Sequence, residues 1–231
     1  MFKFFKKYCT NILLITIFIM GLSIFLYPYV SDFINQKVQR KEIDKYKGKL
    51  KEISYDKYDS MIEDAQKYNE QLLYKTIEEN TQKADERGYY NLLSLDSSGI
   101  IGYLVIDKIN VKLPIYHGSD TSTLQNGIGH LKGSSLPVGS ISSHVVLAGH
   151  TGMPSSKLLT DLVKLEVGDK FQIIVLNKTY TYEVDQILVV EPSDTENLNI
   201  EENKQYATLI TCTPLGVNSH RLLVRGYLIG S

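Results

Sequence analysis

The stretch TLITCTP, Thr208–Pro214, is followed after three residues by NSHRLLV, Asn218–Val224. The first run is apolar and β-prone, and Pro214 ends it because proline cannot donate a hydrogen bond to a sheet ladder. Arg221 opens a second apolar run. Two neighbouring strands are therefore predicted, with the thiol of Cys212 at the end of one and the charge of Arg221 at the start of the next, at the same edge of a sheet.

The composition is that of an ordinary globular protein with an appendage. The chain has 231 residues and a formal net charge of -1, which favours neither disorder nor binding to nucleic acid. From residue 96 onward there are ten Lys and Arg against thirteen Asp and Glu, so no basic stripe suggests a polyanion partner. The two cysteines, Cys9 and Cys212, form no CxxC pair and give no metal-ligand spacing with histidine. No cofactor, metal or nucleic-acid partner is expected.

Residues 11–30, NILLITIFIMGLSIFLYPYV, contain no charged residue. About 20 residues at ~1.5 Å each span a hydrocarbon core of ~30 Å, so a transmembrane helix is predicted. By the positive-inside rule residues 1–10 form a cytoplasmic tail, since its charges are all basic: Lys3, Lys6 and Lys7. The remaining chain is then expected outside the cell. A cleaved signal peptide is the alternative, but its apolar core is ~7–15 residues long and ends in a small-x-small site that residues 26–29 lack.

Residues 31–95 are predicted to form a helical stalk. Ser54 is a candidate N-cap, with the carboxylate of Asp56 in the first turn of the helix. One apolar stripe then recurs at helical spacing: Tyr58, Met61, Ile62, Ala65, Tyr68 and Leu72. The stripe favours an amphipathic helix docked on the domain that follows. A coiled coil or a partner-binding helix is the alternative, for which the stripe is short.

Residues 96–231 have the pattern of an all-β domain. Short β-branched and aromatic runs predict strands around Cys212 and at 100–106, 111–116, 144–148, 170–176, 179–190 and 222–224. The connections are predicted as a tight turn at Asn177-Lys178, a helical turn at 123–126 and a short helix from Ser155 or Ser156 to Leu162. About eight short strands with almost no helix predict a mainly β fold, a closed eight-stranded β-barrel with short helices.

One histidine stands out as a candidate base. The chain has five: His117, His130, His144, His150 and His220. A lone histidine in a β-domain is more often a structural hydrogen-bonder than a catalyst. His150 differs because it directly follows an apolar strand and has glycines on both sides, which let backbone or substrate approach closely. Successive side chains of an extended segment point to opposite faces, so His220 and Arg221 are not both expected to face the site.

Several segments, in order along the chain, resemble a sortase, and in detail the class C or pilin-polymerising branch of that family. They are INVKLPIYHG at 109–118, GHLKGSSLPVG at 129–139, VVLAGHTG at 145–152, KLLTDLVKLEVGD at 157–169 and TLITCTPLGVNSHRLLVRG at 208–226. The resemblance covers roughly residues 54–231, and the TCTP…HR pattern within it is highly specific. It implies the sortase β-barrel for the domain.

The resemblance also implies a Cys-His-Arg site, with Cys212 as nucleophile, His150 as acid and base, and Arg221 as stabiliser of the oxyanion. The chemistry of these residue types agrees. A thiolate is the reactive form of cysteine, and a nearby cation favours it. The guanidinium stays charged at any working pH. Thr211 and Thr213 are weaker candidates, for positioning the acyl chain.

The same resemblance implies the substrate and the acceptor. The substrate is a protein with an LPXTG-like sorting signal, cleaved after its threonine through a thioester on Cys212. The acceptor is an amine, either a pilin lysine in pilus assembly or a cell-wall precursor in a housekeeping role. A cysteine protease that only hydrolyses its substrate, and an inactive surface module that binds sorting signals, are the alternatives.

Two features differ from the class C pattern. Residues 78–98 contain no Asp-Pro-aromatic lid motif, so either the site has no lid or its lid is built differently. A site without a lid predicts a readily reactive Cys212. No second apolar run of spanning length follows residues 11–30, so anchoring is expected to rest on that segment alone. The acidic stretch 191–202 is interpreted as a solvated loop. Calcium binding is the alternative for it, because this ion takes oxygen ligands.

Overall fold

The first helix runs through both the apolar segment and the region that follows it. The computed structural model describes residues 2–230 and, within them, the side chains outside residues 2–7, 9 and 10. Helix α1, Phe2–Leu50, is continuous, with Pro28 inside it. Its residues 11–30 are exposed, and it is long and apolar enough to cross a membrane. The predictions that concern Lys3, Lys6, Lys7 and Cys9 lie outside the described side chains.

Within residues 2–230, three further α-helices and eight strands follow α1. The helices are α2 Tyr55–Glu70, α3 Ile77–Lys83 and α4 Thr121–Asn126. The strands are β1 Ile100–Ile106, β2 Val111–His117, β3 Ile128–His130, β4 Ser143–Ala148, β5 Lys170–Val175, β6 Lys178–Val190, β7 Gln205–Thr213 and β8 His220–Gly230.

The eight described strands close into one barrel, which confirms the predicted fold class. Around the barrel their order is β1-β2-β3-β4-β7-β8-β6-β5. Strand β4 pairs with β7 in parallel, and β7 pairs with β8 in antiparallel fashion. These two pairings bring together the segments that the sequence singled out, although β4 and β7 are far apart along the chain.

The segment between the apolar run and the barrel packs on the barrel wall. Ser54 caps α2 by accepting a hydrogen bond from the Lys57 backbone N–H, as predicted. The segment adds buried side chains to the main hydrophobic core: Tyr46, Leu50, Ala65, Tyr68, Leu72, Ala84, Tyr89 and Leu93. The apolar stripe of α2 is therefore a docking face for the barrel, as the sequence indicates.

Two details of strands and turns differ from the sequence predictions. Val175 pairs with Lys178, so the β5–β6 turn is Leu176-Asn177, one residue earlier than predicted. Both turn residues have positive φ, 47° and 64°, which matches the right-handed twist of the flanking strands. Strand β3 was not predicted, because three residues are too few to show the alternation of apolar and polar side chains that indicates a strand.

The predicted helix from Ser155 or Ser156 to Leu162 is wrong. Met153 and Ser156 form an isolated antiparallel bridge instead. Leu158 then has a φ of 40°, a left-handed conformation that a right-handed helix cannot contain. A 3₁₀ helix begins only at Thr160 and ends at Lys164. The segment after His150 is thus a loop whose shape depends on contacts with the rest of the molecule.

Removing the Tyr46 hydroxyl should destabilise the docking of α1. This buried hydroxyl donates to the Ile101 carbonyl at 2.9 Å and accepts from the Leu176 backbone N–H at 3.0 Å. Tyr46→Phe leaves both backbone groups unpaired, which costs about 2–4 kcal/mol in the free energy of unfolding. Urea unfolding of the full chain in detergent measures the loss. Tyr55→Phe, on an exposed side chain, is the matched control, and equal stability of the two variants would contradict the assignment.

Candidate active site

Cys212 and Arg221 lie directly opposite each other across the β7–β8 ladder. Their Cα atoms are register partners near the end of β7 and the start of β8. Side chains directly opposite on one face have Cβ atoms ~4.5–5.5 Å apart, so the thiol and the guanidinium share one face of the barrel wall. Both side chains are half-buried. The pairing of thiol and charge at one sheet edge is as the sequence predicts.

His150 is brought to the same edge by the parallel pairing of β4 with β7. The last register pair is Ala148 with Ile210. The pairing is extended by a hydrogen bond from the Gly149 N–H to the Ile210 carbonyl at 3.0 Å. His150 lies two residues beyond Ala148, and Cys212 lies two residues beyond Ile210. Continuing the same parallel register therefore places His150 beside Cys212. The three predicted residues therefore come from three adjacent strands in the order His150, Cys212, Arg221.

Gly149 is required by close packing at the strand end. A Cβ atom added there would lie 2.7 Å from Leu159 Cδ1 and 2.8 Å from Ile128 Cδ1. Real Cβ contacts are longer than this, so a larger residue would push the His150 segment away from β7. The second flanking glycine, Gly152, has a φ of 69° and lies against the side chain of Leu215 in the loop after Cys212. Other segments of the molecule thus approach both glycines closely, here through their side chains.

The guanidinium of Arg221 is oriented by its own loop. Its Nη1 donates to the carbonyl oxygens of His220 at 3.0 Å and Asn218 at 3.3 Å. None of the ion pairs in the described part of the chain involves Arg221. Its charge is therefore not neutralised by a carboxylate, which leaves it able to attract negative charge that develops next to Cys212.

His220 points away from this group, as the alternation along a strand predicts. Its Nε2 lies 3.3 Å from Glu191 Oε1, and its Nδ1 lies 2.8 Å from the Ser219 hydroxyl. It pairs in register with Thr213, next to the Cys212 position. His220 therefore links the start of β8 to the β6–β7 loop, residues 191–204.

The two threonines beside Cys212 have different environments. Thr211 is buried, and its hydroxyl donates to the Gly149 carbonyl at 2.7 Å. This bond supports the backbone that carries His150 and leaves the hydroxyl engaged within the protein. Thr213 is half-buried at the end of β7. Contact of either residue with an acyl chain stays a prediction.

Three of the other histidines are buried in the barrel. His130 lies 2.8 Å from the Tyr89 hydroxyl, and His144 lies 2.7 Å from the Thr208 hydroxyl. Burial lowers the pKa of His117, His130 and His144 to about 4 in each case. They are neutral at pH 7 and are held within the fold. His150 is therefore the histidine that lies at the same edge of the barrel as the Cys212 thiol.

The β6–β7 loop is held from two sides. The Ile77 backbone N–H at the start of α3 donates to Asn199 Oδ1 at 3.0 Å, and the Asn199 carbonyl accepts from His144 Nδ1 at 2.9 Å. Two acidic side chains of this loop have protein partners, since Glu191 faces His220 and Glu201 faces Arg225. The acids thus contribute to fixing the loop, and calcium binding by them stays a prediction.

The comparisons with known proteins agree with the family resemblance and with the barrel fold. Residues 104–229 match the sortase domain model, and the chain belongs to the sortase family. A crystal structure of sortase C1 from Streptococcus agalactiae shares 45% identity and a TM-score of 0.76, covering 83% of this chain and 99% of that one. Sortase C from Clostridium perfringens, solved with the C-terminal cell wall sorting motif, shares 37% identity with a TM-score of 0.70, covering 83% and 99%.

A curated relative matches part of the chain. Sortase D of Bacillus subtilis is 30% identical over 135 residues, which are 58% of this chain and 64% of that protein. Sortases are cysteine transpeptidases, and the general reaction of the family is cleavage of a sorting signal followed by transfer to an amine. The class C neighbours match the branch that the sequence motifs resemble.

Acidification should destabilise the fold through the buried histidines. Each is neutral when folded, with a pKa lowered to about 4, whereas an unfolded histidine has a pKa of about 6.5. The unfolded state therefore binds more protons between these values, so stability is lost as the pH falls from about 6.5 to about 4. The slope of the unfolding free energy against pH gives the number of protons taken up on unfolding. In His144→Gln this number, measured by urea unfolding at a series of pH values, should be smaller by up to one. An unchanged slope would contradict the buried neutral state of His144.

Cys212 should react readily with a small thiol reagent in the native protein. In the described part of the chain neither its thiol nor the His150 imidazole has a hydrogen-bond partner, and both side chains are partly exposed. A Cys9→Ser variant leaves one thiol to follow by mass spectrometry. Labelling with a methanethiosulfonate should proceed within about tenfold of the rate in denatured protein, where access is complete. Protection by several orders of magnitude would show that the site is covered.

Proposed function

We propose that this chain is a membrane-anchored cysteine transpeptidase that cleaves an LPXTG-like sorting signal and transfers the acyl group to a pilin lysine. The observation that carries the proposal is the register that places Cys212 opposite Arg221, with His150 at the end of the adjacent strand. The class C neighbours support the pilin acceptor. One of them is described in terms of pilin substrate specificity, at 36% identity and a TM-score of 0.74.

The reaction begins at the thiolate of Cys212. It attacks the carbonyl carbon of the peptide bond after the threonine of the sorting signal, and the carbonyl oxygen becomes negative. The guanidinium of Arg221, on the same face of the barrel wall, stabilises that oxyanion. His150 protonates the leaving nitrogen, the carbon–nitrogen bond breaks, and a thioester remains on Cys212.

The second half of the reaction runs through the same groups. The lysine amine attacks the thioester carbonyl and gives up a proton to His150. The carbon–sulfur bond then breaks, Cys212 leaves as thiolate, and a new amide bond joins the two proteins. Attack by water in place of the amine would give hydrolysis, which is the protease alternative. Attack by a cell-wall precursor amine would give the housekeeping alternative.

The position of the protein at a membrane belongs to the same proposal. Residues 11–30 of α1 are exposed and apolar, as in a transmembrane anchor. We place residues 1–10 in the cytoplasm, because their lysines follow the positive-inside rule, and residues 31–231 outside the cell. In this arrangement residues 31–95 are a helical appendage of the catalytic barrel, residues 96–231, and the substrates are other surface proteins.

The proposal is tested by reacting the full chain in detergent with a sorting-signal peptide and a pilin that carries a reactive lysine. Wild-type protein should give an acyl-enzyme by mass spectrometry and a covalent pilin ladder on a denaturing gel. Cys212→Ala should give neither, because the acyl carrier is missing, while Cys9→Ser should behave as wild type.

The other outcomes separate the alternatives. Hydrolysed peptide without an amide product would point to a protease. Transfer to a cell-wall precursor amine without pilin polymers would point to a housekeeping sortase. Peptide binding with an unreactive Cys212 would point to a binding module. Full turnover by Cys212→Ala would overturn the proposed mechanism.

A further inference from the structure

The segment after His150 forms a closed loop. The Leu159 backbone N–H donates to the His150 carbonyl at 3.1 Å, and the Gly152 N–H donates to the Thr160 hydroxyl at 2.9 Å. Since the His150 imidazole has no hydrogen-bond partner in the described part of the chain, the backbone of this loop determines where the ring lies. Whatever holds the loop therefore also holds His150.

Helix α1 holds the tip of this loop with two side chains. Asp32 Oδ1 accepts from the Lys157 backbone N–H at 2.8 Å, and Asn35 Nδ2 donates to the Ser155 carbonyl at 2.7 Å. The Gln36 amide donates to the other Asp32 carboxylate oxygen at 2.8 Å, which fixes the carboxylate. A cavity of about 70 Å³ lies between α1 and the loop. Residues 109–113 also line this cavity, and the two hydrogen bonds join α1 to the loop at the loop's tip.

The two bonds are complementary and join distant parts of the chain. One side chain accepts a hydrogen bond from the loop and the other donates one to it, and the partners are 125 and 120 positions apart in the sequence. Both satisfy backbone groups that loop geometry leaves without partners. Asp32 and Asn35 lie in the first turns of α1 beyond the apolar run. The segment that leaves the proposed membrane anchor thus makes direct contact with the loop that carries His150.

We propose that Asp32 and Asn35 are positioning residues for the transpeptidation, which hold the His150 loop so that the imidazole meets the leaving nitrogen beside Cys212. The inference rests on the proposed function and adds residues outside the barrel to it. Loss of the two bonds frees the loop tip and moves His150, while Cys212 and Arg221 stay fixed by the β7–β8 ladder. Loss of the two bonds should therefore slow only the step in which His150 protonates the leaving nitrogen.

This specificity can be measured by changing the leaving group. A peptide amide leaves only with a proton on its nitrogen, whereas an activated thioester with the same acyl group leaves as a stable thiolate and needs none. Acyl-enzyme formation by the full chain in nanodiscs is followed by rapid-quench mass spectrometry with both substrates. In Asp32→Ala/Asn35→Ala the ratio of amide to thioester acylation rates should fall about tenfold or more, since small displacements of a catalytic group are costly.

Two further variants serve as controls. Asp32→Asn keeps an acceptor oxygen for the Lys157 N–H and should keep most of the wild-type ratio. Asp44→Ala removes an exposed carboxylate from the same helix and should leave the ratio unchanged. A double variant with the wild-type ratio, or one that slows both substrates equally, would overturn the positioning role. A wild-type protein that is acylated by neither substrate would overturn the proposed function itself.

Discussion

The site depends on the backbone register between β7 and β8. A slip of one residue would place His220 or Leu222 opposite Cys212 and turn Arg221 to the other face of the wall. The register is held by buried apolar side chains on β8, Leu222 and Val224. Farther along the strand, Arg225 forms an ion pair with Asp185 at 2.7 Å. The chemistry of the thiol thus follows from packing that extends well beyond it.

The parallel pairing of β4 with β7 adds His150, the proposed base, and the position of His150 depends on the surrounding structure. His150 has no side-chain bond to fix it within the described residues, so its position follows from the backbone on either side. Thr211 supports that backbone from β7, through the Gly149 carbonyl. The loop after His150 is closed on itself and tied to α1. Of the three candidate site residues, His150 is therefore the one whose position depends on the most distant parts of the chain.

Much of the barrel, and the placement of the three candidate site residues at strand ends, could be predicted from the sequence because both rest on local patterns. Alternating and apolar runs indicated most strands, and Cys212, His150 and Arg221 each stand at the end of such a run. The β3 strand was missed because its three residues show no period. The β4–β7 and β1–β5 pairings, and the bonds from Asp32 and Asn35, join residues more than 60 positions apart, for which a single sequence carries no local signal.

The continuity of α1 has a consequence for how substrates are presented. No flexible linker separates residues 11–30 from the part of the helix that packs on the barrel. The contacts of α1 nearest to the apolar run are those with the His150 loop. With the apolar run in the bilayer, as proposed, the edge of the barrel that carries Cys212 is held close to the membrane surface. Under the proposed function, the distance of a cleavable bond from the membrane would then decide its cleavage as well as its sequence.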